Sequence, residues 1–287
     1  MAVINRLEDK YVKFDEKSNF TEVREEFKNG DYPIHLDGYF KEEQLASFAK
    51  EFRDIKELHF INKLECHNLF LNKLKNLEIL YLHFYSDIKT EVDFSQITPL
   101  KRLGTNWYPK YMLNLNTQKS IEYLSVSDYK AKDFTPISAL NNLKFLSTHS
   151  GSLKSLEGIQ NFKNLIALDI IAHRSLTDIS QIKAQKNLKY LKIDYCWKMQ
   201  DFSPIGELQK LEILNIEDCK KLESIKFIKD LPKLEKLSTL GTTIINDYDT
   251  TPAKDVPIFF GSLYKKYNKQ YPEKEIKGKA KTWSSYL

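Results

Sequence analysis

A six-residue pattern, Leu-x-x-Leu-x-Leu, returns along this chain every 22 or 23 residues, and no other feature restricts its fold as much. Clear copies begin at Leu77 (LEILYL), Ile121 (IEYLSV), Leu143 (LKFLST), Leu165 (LIALDI), Leu188 (LKYLKI), Leu211 (LEILNI) and Leu234 (LEKLST), with an earlier one over 55–60. Three apolar positions per copy cannot make a core alone. Stacked copies bury them continuously, so a fixed period of this length means a solenoid. Between Ile97 and Ile121 two registers compete. Counting back from Ile121 places a strand at Leu100-x-x-Leu103, whereas counting forward from Ile97 starts it at Leu103.

Each copy runs on into a second signature, Asp-Phe/Ile-Ser/Thr-x-Ile, present at 93–97, 133–137, 178–182 and 201–205. Ser or Thr is expected to cap a short helical turn there, with Pro tolerated at its first position. A third apolar position falls three residues before each strand, at Leu74, Leu140, Phe162, Leu208 and Leu231, and Gln185 breaks that series.

These repeats resemble the 22-residue leucine-rich repeats of bacterial internalins and of the eukaryotic phosphatase regulator with the same short repeat. The resemblance covers roughly residues 50 to 245, about nine repeats. It implies an α/β fold: a right-handed horseshoe or arc, with a parallel concave sheet and short helical turns on the convex side. It also implies a ligand-binding scaffold, without naming a ligand. Internalins carry secretion signals and surface anchors. Neither is apparent here, so a role in host invasion is not carried over. Cys196 and Cys219 fall on the Asn/Cys site of this repeat type, where a thiol fills a core slot. Residues 1–50 are expected to form an N-terminal cap with a helix presenting Leu45, Phe48 and Phe52. Residues 246–287 are expected to form a C-terminal cap helix starting near Asp255-Val-Pro, striped by Val256, Phe260, Leu263, Tyr264, Tyr267 and Tyr271, then a basic tail.

At 287 residues and 41% hydrophobic content the chain can bury a core without disulfides or metals. It has no apolar run near the roughly 18 residues of a membrane span, its first residues do not read as a signal peptide, and its three cysteines lack disulfide or zinc spacing. A cytoplasmic protein with reduced thiols is expected. Residues 254–281 carry eight lysines against three acids, so the net charge of +5 resides there. That segment is read as a solvated face, with nucleic-acid or acidic-partner binding as the alternative. Phosphate-loop, dinucleotide, nucleophile-elbow, zincin and EF-hand patterns are all missing, so no cofactor, metal or enzymatic activity is expected. An enzyme with an unfamiliar site is the third reading.

Strand side chains alternate, so with the strand start as position 1 the outward positions are 3, 5, 7 and 8. Those columns supply the candidate protein-binding residues: Tyr81, His83, Phe84, Trp107, Tyr123, Phe145, His149, Asp169, Tyr190, Asp194, Tyr195, Glu217 and Asp218. Aromatics predominate in the earlier repeats and acids in the later ones. An exposed aromatic face is the chemistry of protein interfaces. The expected function is therefore capture of one protein with a basic surface by a chain that is monomeric on its own, as an adaptor, an inhibitor or an immunity protein neutralising a toxin. Trp107, Tyr123 and Phe145 are expected to be dispensable for folding.

Inward leucines should carry the stability. Leu168→Ala or Leu191→Ala is expected to cost about 2–5 kcal/mol in urea unfolding, and a change below about 0.5 kcal/mol at both would overturn the register.

Overall fold

The computed structural model describes residues 3–6, 9–20, 24, 32–65, 68–84, 91–262, 264–269 and 282–286. The chain divides into two compact units, 1–125 and 126–287. The first contains β1 (Val3–Arg6), β2 (Asp9–Phe14), β3 (Ile34–Gly38), α1 (Glu42–Glu51), β4 (Glu57–Asn62), β5 (Ile79–Phe84), β6 (Val92–Asp93), β7 (Arg102–Asn106) and β8 (Met112–Leu113). Its sheet runs β1-β2-β3-β4-β5-β7, antiparallel only between β1 and β2. The boundary falls within β9 (Tyr123–Ser127). The second unit adds β10 (Phe145–His149), β11 (Ala167–Ile171), β12 (Tyr190–Asp194), β13 (Ile213–Glu217), β14 (Lys221–Leu222), β15 (Lys236–Thr239), β16 (Ile244–Ile245) and β17 (Ile258–Gly261). Its parallel sheet runs β10-β11-β12-β13-β15-β17.

Register follows the leucines. In the second unit Leu146, Leu168, Leu191, Leu214 and Leu237 are successive partners, and all are fully buried. In the first, Leu58, Leu80 and Leu103 are partners in the same way. Leu103 is thus position 4 of its repeat, and Leu100 is position 1.

Where each strand ends, the chain turns through a left-handed residue at position 8: Asp128 (φ 54°), Ser150 (51°), Ala172 (58°), Tyr195 (52°), Asp218 (49°) and Gly241 (71°). Side chains are strained there. A hydrogen bond to the next rung holds the turn, because Ser150, Ala172, Tyr195 and Asp218 donate their N–H groups to Ile171, Asp194, Glu217 and Leu240 at 2.8–3.2 Å.

The second signature forms 3-10 turns at Phe94–Gln96, Thr135–Ile137, Ser180–Ala184 and Ser203–Glu207. The capping acceptor is the aspartate, not the hydroxyl expected from sequence. Asp93, Asp133, Asp178 and Asp201 accept the N–H two residues on, at 2.8–3.0 Å. Gln185 is buried and donates to the Ile159 carbonyl at 2.5 Å. Gln118 does the same at the equivalent position, donating to Phe94 O at 2.7 Å and accepting from Leu100 N at 2.8 Å. Both glutamines satisfy backbone groups of the preceding turn, which is how an amide is accommodated in an apolar slot.

The flanks depart from expectation. β2 and β3 already belong to the sheet ahead of α1, which buries Leu45, Phe48 and Ala49. Phe48 meets Phe14 at 5.8 Å and Phe70 at 6.3 Å. At the other end, the helix expected from Asp255 is a 3-10 turn, Thr251–Asp255, followed by β17, whose Phe259 pairs with Leu237. Ile258, Phe259 and Phe260 favour a strand, and an open parallel edge offers the pairing. Leu263 and Tyr271 lie outside the described residues.

One internal column shows how tightly the rungs are matched. Position 9 holds Tyr129, Gly151, His173, Cys196 and Cys219 in successive repeats. A Cβ on Gly151 would lie 2.0 Å from Tyr129 O and 2.5 Å from His173 Cε1, so glycine is required between the Tyr129 carbonyl and the His173 ring. His173 accepts from Leu153 N at 3.3 Å through Nδ1, which leaves Nε2 protonated and facing Thr148 Oγ1 at 3.1 Å. Both cysteines are free and fully buried, and burial pushes the Cys196 thiol up to about 12. Burial likewise pulls His173 down to about 4 from the usual 6.5. An unfolded chain binds this proton below about 6.5 while the fold refuses it until about 4. Stability is therefore full above that window and falls within it as pH drops, by roughly 3 kcal/mol in total. His173→Asn should flatten this limb, as read from urea midpoints between pH 7.5 and 4.5. An unchanged limb would overturn the assignment.

Candidate functional site

On the outward face of the first unit, His35, His59 and Tyr81 at position 5 form a stack of rings, which Tyr11, two residues before the register partner of His35, extends. Tyr11 lies 4.0 Å from His35, His35 lies 4.1 Å from His59 at 9° between planes, and His59 lies 4.3 Å from Tyr81. Tyr81 ends the stack against Gly104, where a Cβ would sit 2.4 Å from the ring. His59 Nε2 is 2.8 Å from Glu57 Oε1, and the Arg102 guanidinium lies 5.8 Å from the Tyr123 ring centre. At position 7, Asp37 takes Lys13 and Lys63 at 3.1 Å each; burial would raise its pKa, but these two hydrogen bonds hold it below the usual range. His83 is exposed, Tyr81 and Tyr123 are half-buried, and the Phe84 side chain lies outside what is described.

Sequence reasoning found Tyr81 but not the rest of the stack, because Tyr11 and His35 were assigned to a cap. The 22-residue step from His59 to Tyr81 was the available signal.

The outward face of the second unit has three rows. Position 3 reads Phe145, Ala167, Tyr190, Ile213 and Lys236; position 5 reads Ser147, Asp169, Lys192, Asn215 and Ser238; position 7 reads His149, Ile171, Asp194 and Glu217. The two polar rows are knitted together. Ser147 Oγ is 2.8 Å from His149 Nε2 and donates to Asp169 Oδ2 at 3.5 Å. Lys192 Nζ is 3.3 Å from Asp194 Oδ2 and 4.0 Å from Glu217 Oε2, and Glu217 also accepts from Ser238 Oγ. Asn215 donates to the Tyr190 hydroxyl at 3.4 Å. Asp194 and Asn215 are only 7% and 8% exposed. The second oxygen of Asp169, that of Asp194 and the amide oxygen of Asn215 are buried with no donor among the described residues.

Burial raises the Asp169 carboxyl to about 7; Lys192 and the Ser147 bond oppose the shift and Asp194 reinforces it. Asp194 is raised for the same first reason. The neutral form of Asp169 thus persists well above the usual carboxylate range, and the local charge is smaller than a count of carboxylates implies. Asp218 accepts the Thr242 N–H at 2.9 Å, so it holds the turn around Gly241 as well as facing outward.

These groups do not make a nucleophilic relay, in which histidine must sit between hydroxyl and carboxylate. Here the Ser147 hydroxyl stands between His149 and Asp169. No group of three or more His, Cys, Asp or Glu side chains is arranged to hold a metal among the described residues. Among them also, no helix is long and apolar enough to cross a membrane. Of the basic tail, Lys274, Lys277, Lys279 and Lys281 lie outside the described residues.

Three residues taken as exposed aromatics are buried: Trp107 at 8%, Phe145 at 6% and Tyr190 at 6% exposure. Rungs about 4.8 Å apart leave too little room for large rings to stand free. Trp107 precedes the tight turn closed by Tyr111 N to Tyr108 O at 2.8 Å, and Tyr190 lies beneath the Tyr286 ring. Tyr195, at 43%, is the candidate aromatic that remains exposed among the described side chains.

No family model matches the chain, and no curated protein matches it in sequence. Among solved structures it resembles inlF, an internalin of Listeria monocytogenes str. 4b F2365, at 18% identity and a TM-score of 0.55, covering 81% of this chain and 74% of that one. Internalin C2 of the same strain matches at 20% identity and a TM-score of 0.46, covering 76% of this chain and 83% of that one. TLR13, solved in complex with ssRNA13, matches at 17% identity and a TM-score of 0.52, covering 87% of this chain and 46% of that one. With the repeat register above, the internalin likeness establishes the fold: this is an α/β leucine-rich repeat solenoid, internalin-like in its repeats.

Burial reverses the expected tolerance of the aromatics. Trp107→Ala and Phe145→Ala should each cost about 3–5 kcal/mol in urea unfolding, while Tyr195→Ala should stay within about 0.5 kcal/mol. Loss of stability at Tyr195 alone would reverse this assignment.

Proposed function

We propose that the chain is a non-enzymatic binding protein whose second unit captures a basic surface of one partner protein, acting as a single copy on its own. The observation that carries this reading is the pair of polar rows. Asp169, Asp194 and Asn215 keep buried acceptor oxygens without donors, in a place where ionisation of Asp169 opposes folding. Buried acceptors of this kind call for a partner. A lysine or arginine head supplies several donors at once and removes the penalty on the carboxylate. Functional sites characteristically retain such locally unfavourable groups.

A cation-seeking face of this kind suits a toxin whose working surface binds phosphate, such as a nuclease. Covering that surface would inhibit it, which is the action of an inhibitor or immunity protein. Charge would mainly speed the encounter and exclude wrong partners.

The test combines two measurements. Raising a carboxyl from 3.8 to about 7 makes the fold lose stability as pH rises through that window, because the unfolded chain ionises first. Asp169→Asn should therefore stabilise the free chain at pH 8, by roughly 2–4 kcal/mol. The partner, recovered by affinity capture from the native source, should bind wild type more tightly as pH rises through about 7. Asp169→Asn combined with Asp194→Asn should bind it weakly and without that pH dependence. Capture of the same protein by wild type and variant, with equal affinity at pH 6 and pH 8, would overturn the reading.

A further inference from the structure

Row 3 of the second unit's outward face is aromatic or aliphatic from Phe145 to Ile213 and is already occupied. Ala167 and Ile213 flank Tyr190 in register, and all three are at most 6% exposed although they point away from the core. Among the described residues, the segment Thr282–Tyr286 comes down on this row. It is closed on itself, with Thr282 N donating to Ser285 Oγ and Ser285 N to Thr282 O, both at 2.9 Å. Its last described residue makes two contacts with the face: the Tyr286 ring lies 6.4 Å from the Tyr190 ring at 58°, and the Tyr286 hydroxyl donates to Glu212 Oε2 at 3.0 Å. Glu212 is in turn fixed by Lys189, whose Nζ is 3.3 Å from its other oxygen.

An aromatic ring against a ring, with its hydroxyl on a positioned carboxylate, is recognition of a tyrosine side chain. The ring contributes tilted aromatic packing, and the charged acceptor tests for the hydroxyl. A phenylalanine would fill the same space and leave Glu212 without that donor. A phosphorylated tyrosine would place a dianion against the carboxylate.

We propose that Tyr190 and Glu212 form a tyrosine-binding seat on the partner-capturing face, filled in the free chain by its own Tyr286. A partner tyrosine takes the seat by displacing it. This rests on the reading of the second unit's face as the capture surface, and it adds a side-chain preference and a built-in competitor. The sequence of the seated segment indicates the kind of partner segment that fits. Thr282-Trp-Ser-Ser-Tyr286 follows Lys277, Lys279 and Lys281, so it is a tyrosine-bearing stretch next to lysines. An intramolecular occupant acts at high effective concentration, so even a weak contact excludes a free competitor substantially.

The probe is the synthetic peptide Lys-Thr-Trp-Ser-Ser-Tyr-Leu, titrated by fluorescence anisotropy into the full-length chain and into its Tyr286→Ala variant, with melting midpoints confirming that both are folded. The vacated variant should bind at least tenfold more tightly than wild type. A peptide with phenylalanine in place of tyrosine, or with phosphotyrosine, should lose most of that affinity, as should the Tyr286→Ala, Glu212→Gln double variant. Equal binding by wild type and Tyr286→Ala, or binding by neither, would overturn the seat. This result is independent of the acid rows, which the pH dependence at Asp169 tests separately.

Discussion

The stacking of leucine on leucine in register is the constraint from which the rest of this structure follows. Leu146, Leu168, Leu191, Leu214 and Leu237 are register partners in successive rungs and fully buried, so each repeat depends on its neighbours and every repeat must keep the same phase. Fixing the inward positions fixes the outward ones at the same spacing of about 4.8 Å. Side chains on the open face therefore stand closer together than the width of a solvated ring. They respond in one of two ways. Flat rings stack, as Tyr11, His35, His59 and Tyr81 do at 4.0–4.3 Å. Other rings lie down and become buried, as Phe145 and Tyr190 do. Facing outward and being exposed are different properties on a sheet this regular.

That difference marks how far the sequence could be read. The period identified the fold and the inward column, since an apolar residue at every fourth and sixth position has one stable use. The third repeat was ambiguous because two counts met between Ile97 and Ile121, and pairing of Leu103 with Leu80 resolves it. Gln185 was legible only as an interruption, and Gln118 was not read at all. Their role depends on carbonyls that the preceding 3-10 turn leaves available, at Phe94 and Ile159. Left-handed position 8 was hidden for a related reason: before Gly241 the series Asp128, Ser150, Ala172, Tyr195 and Asp218 contains no glycine, and from Ser150 to Asp218 an inter-rung hydrogen bond holds the conformation against residue preference. The segment after Asp255 carried an amphipathic stripe that reads as helix. The pairing of Phe259 with Leu237, 22 residues earlier, extended the ladder instead, since an exposed parallel edge outweighs a modest helical pattern.

The same regular spacing governs the electrostatics. Placing acids in adjacent rows brings Asp169, Asp194 and Glu217 within reach of one another and of Lys192, in surroundings that partly exclude water. Each added carboxylate makes the next harder to ionise, so charge on such a face saturates well before the count of acids does. Sequence counting treats these residues as independent surface charges. The structure links them into one network, in which Ser147 and Lys192 favour the charged forms of Asp169 and Asp194 that burial opposes.

Row 3 and rows 5 and 7 of the second unit consequently carry different kinds of instability. The apolar row would lose stability by facing water and is sheltered by the chain's own Tyr286. The acid rows lose stability by being sheltered, and no side chain among the described residues supplies the missing donors. Neither row contributes an inward leucine, so the register of the repeats does not depend on either. That both persist side by side on one face is the pattern expected where stability is exchanged for recognition. It also defines the complementary surface: a tyrosine for the sheltered row and, one row away, a cation for the acids.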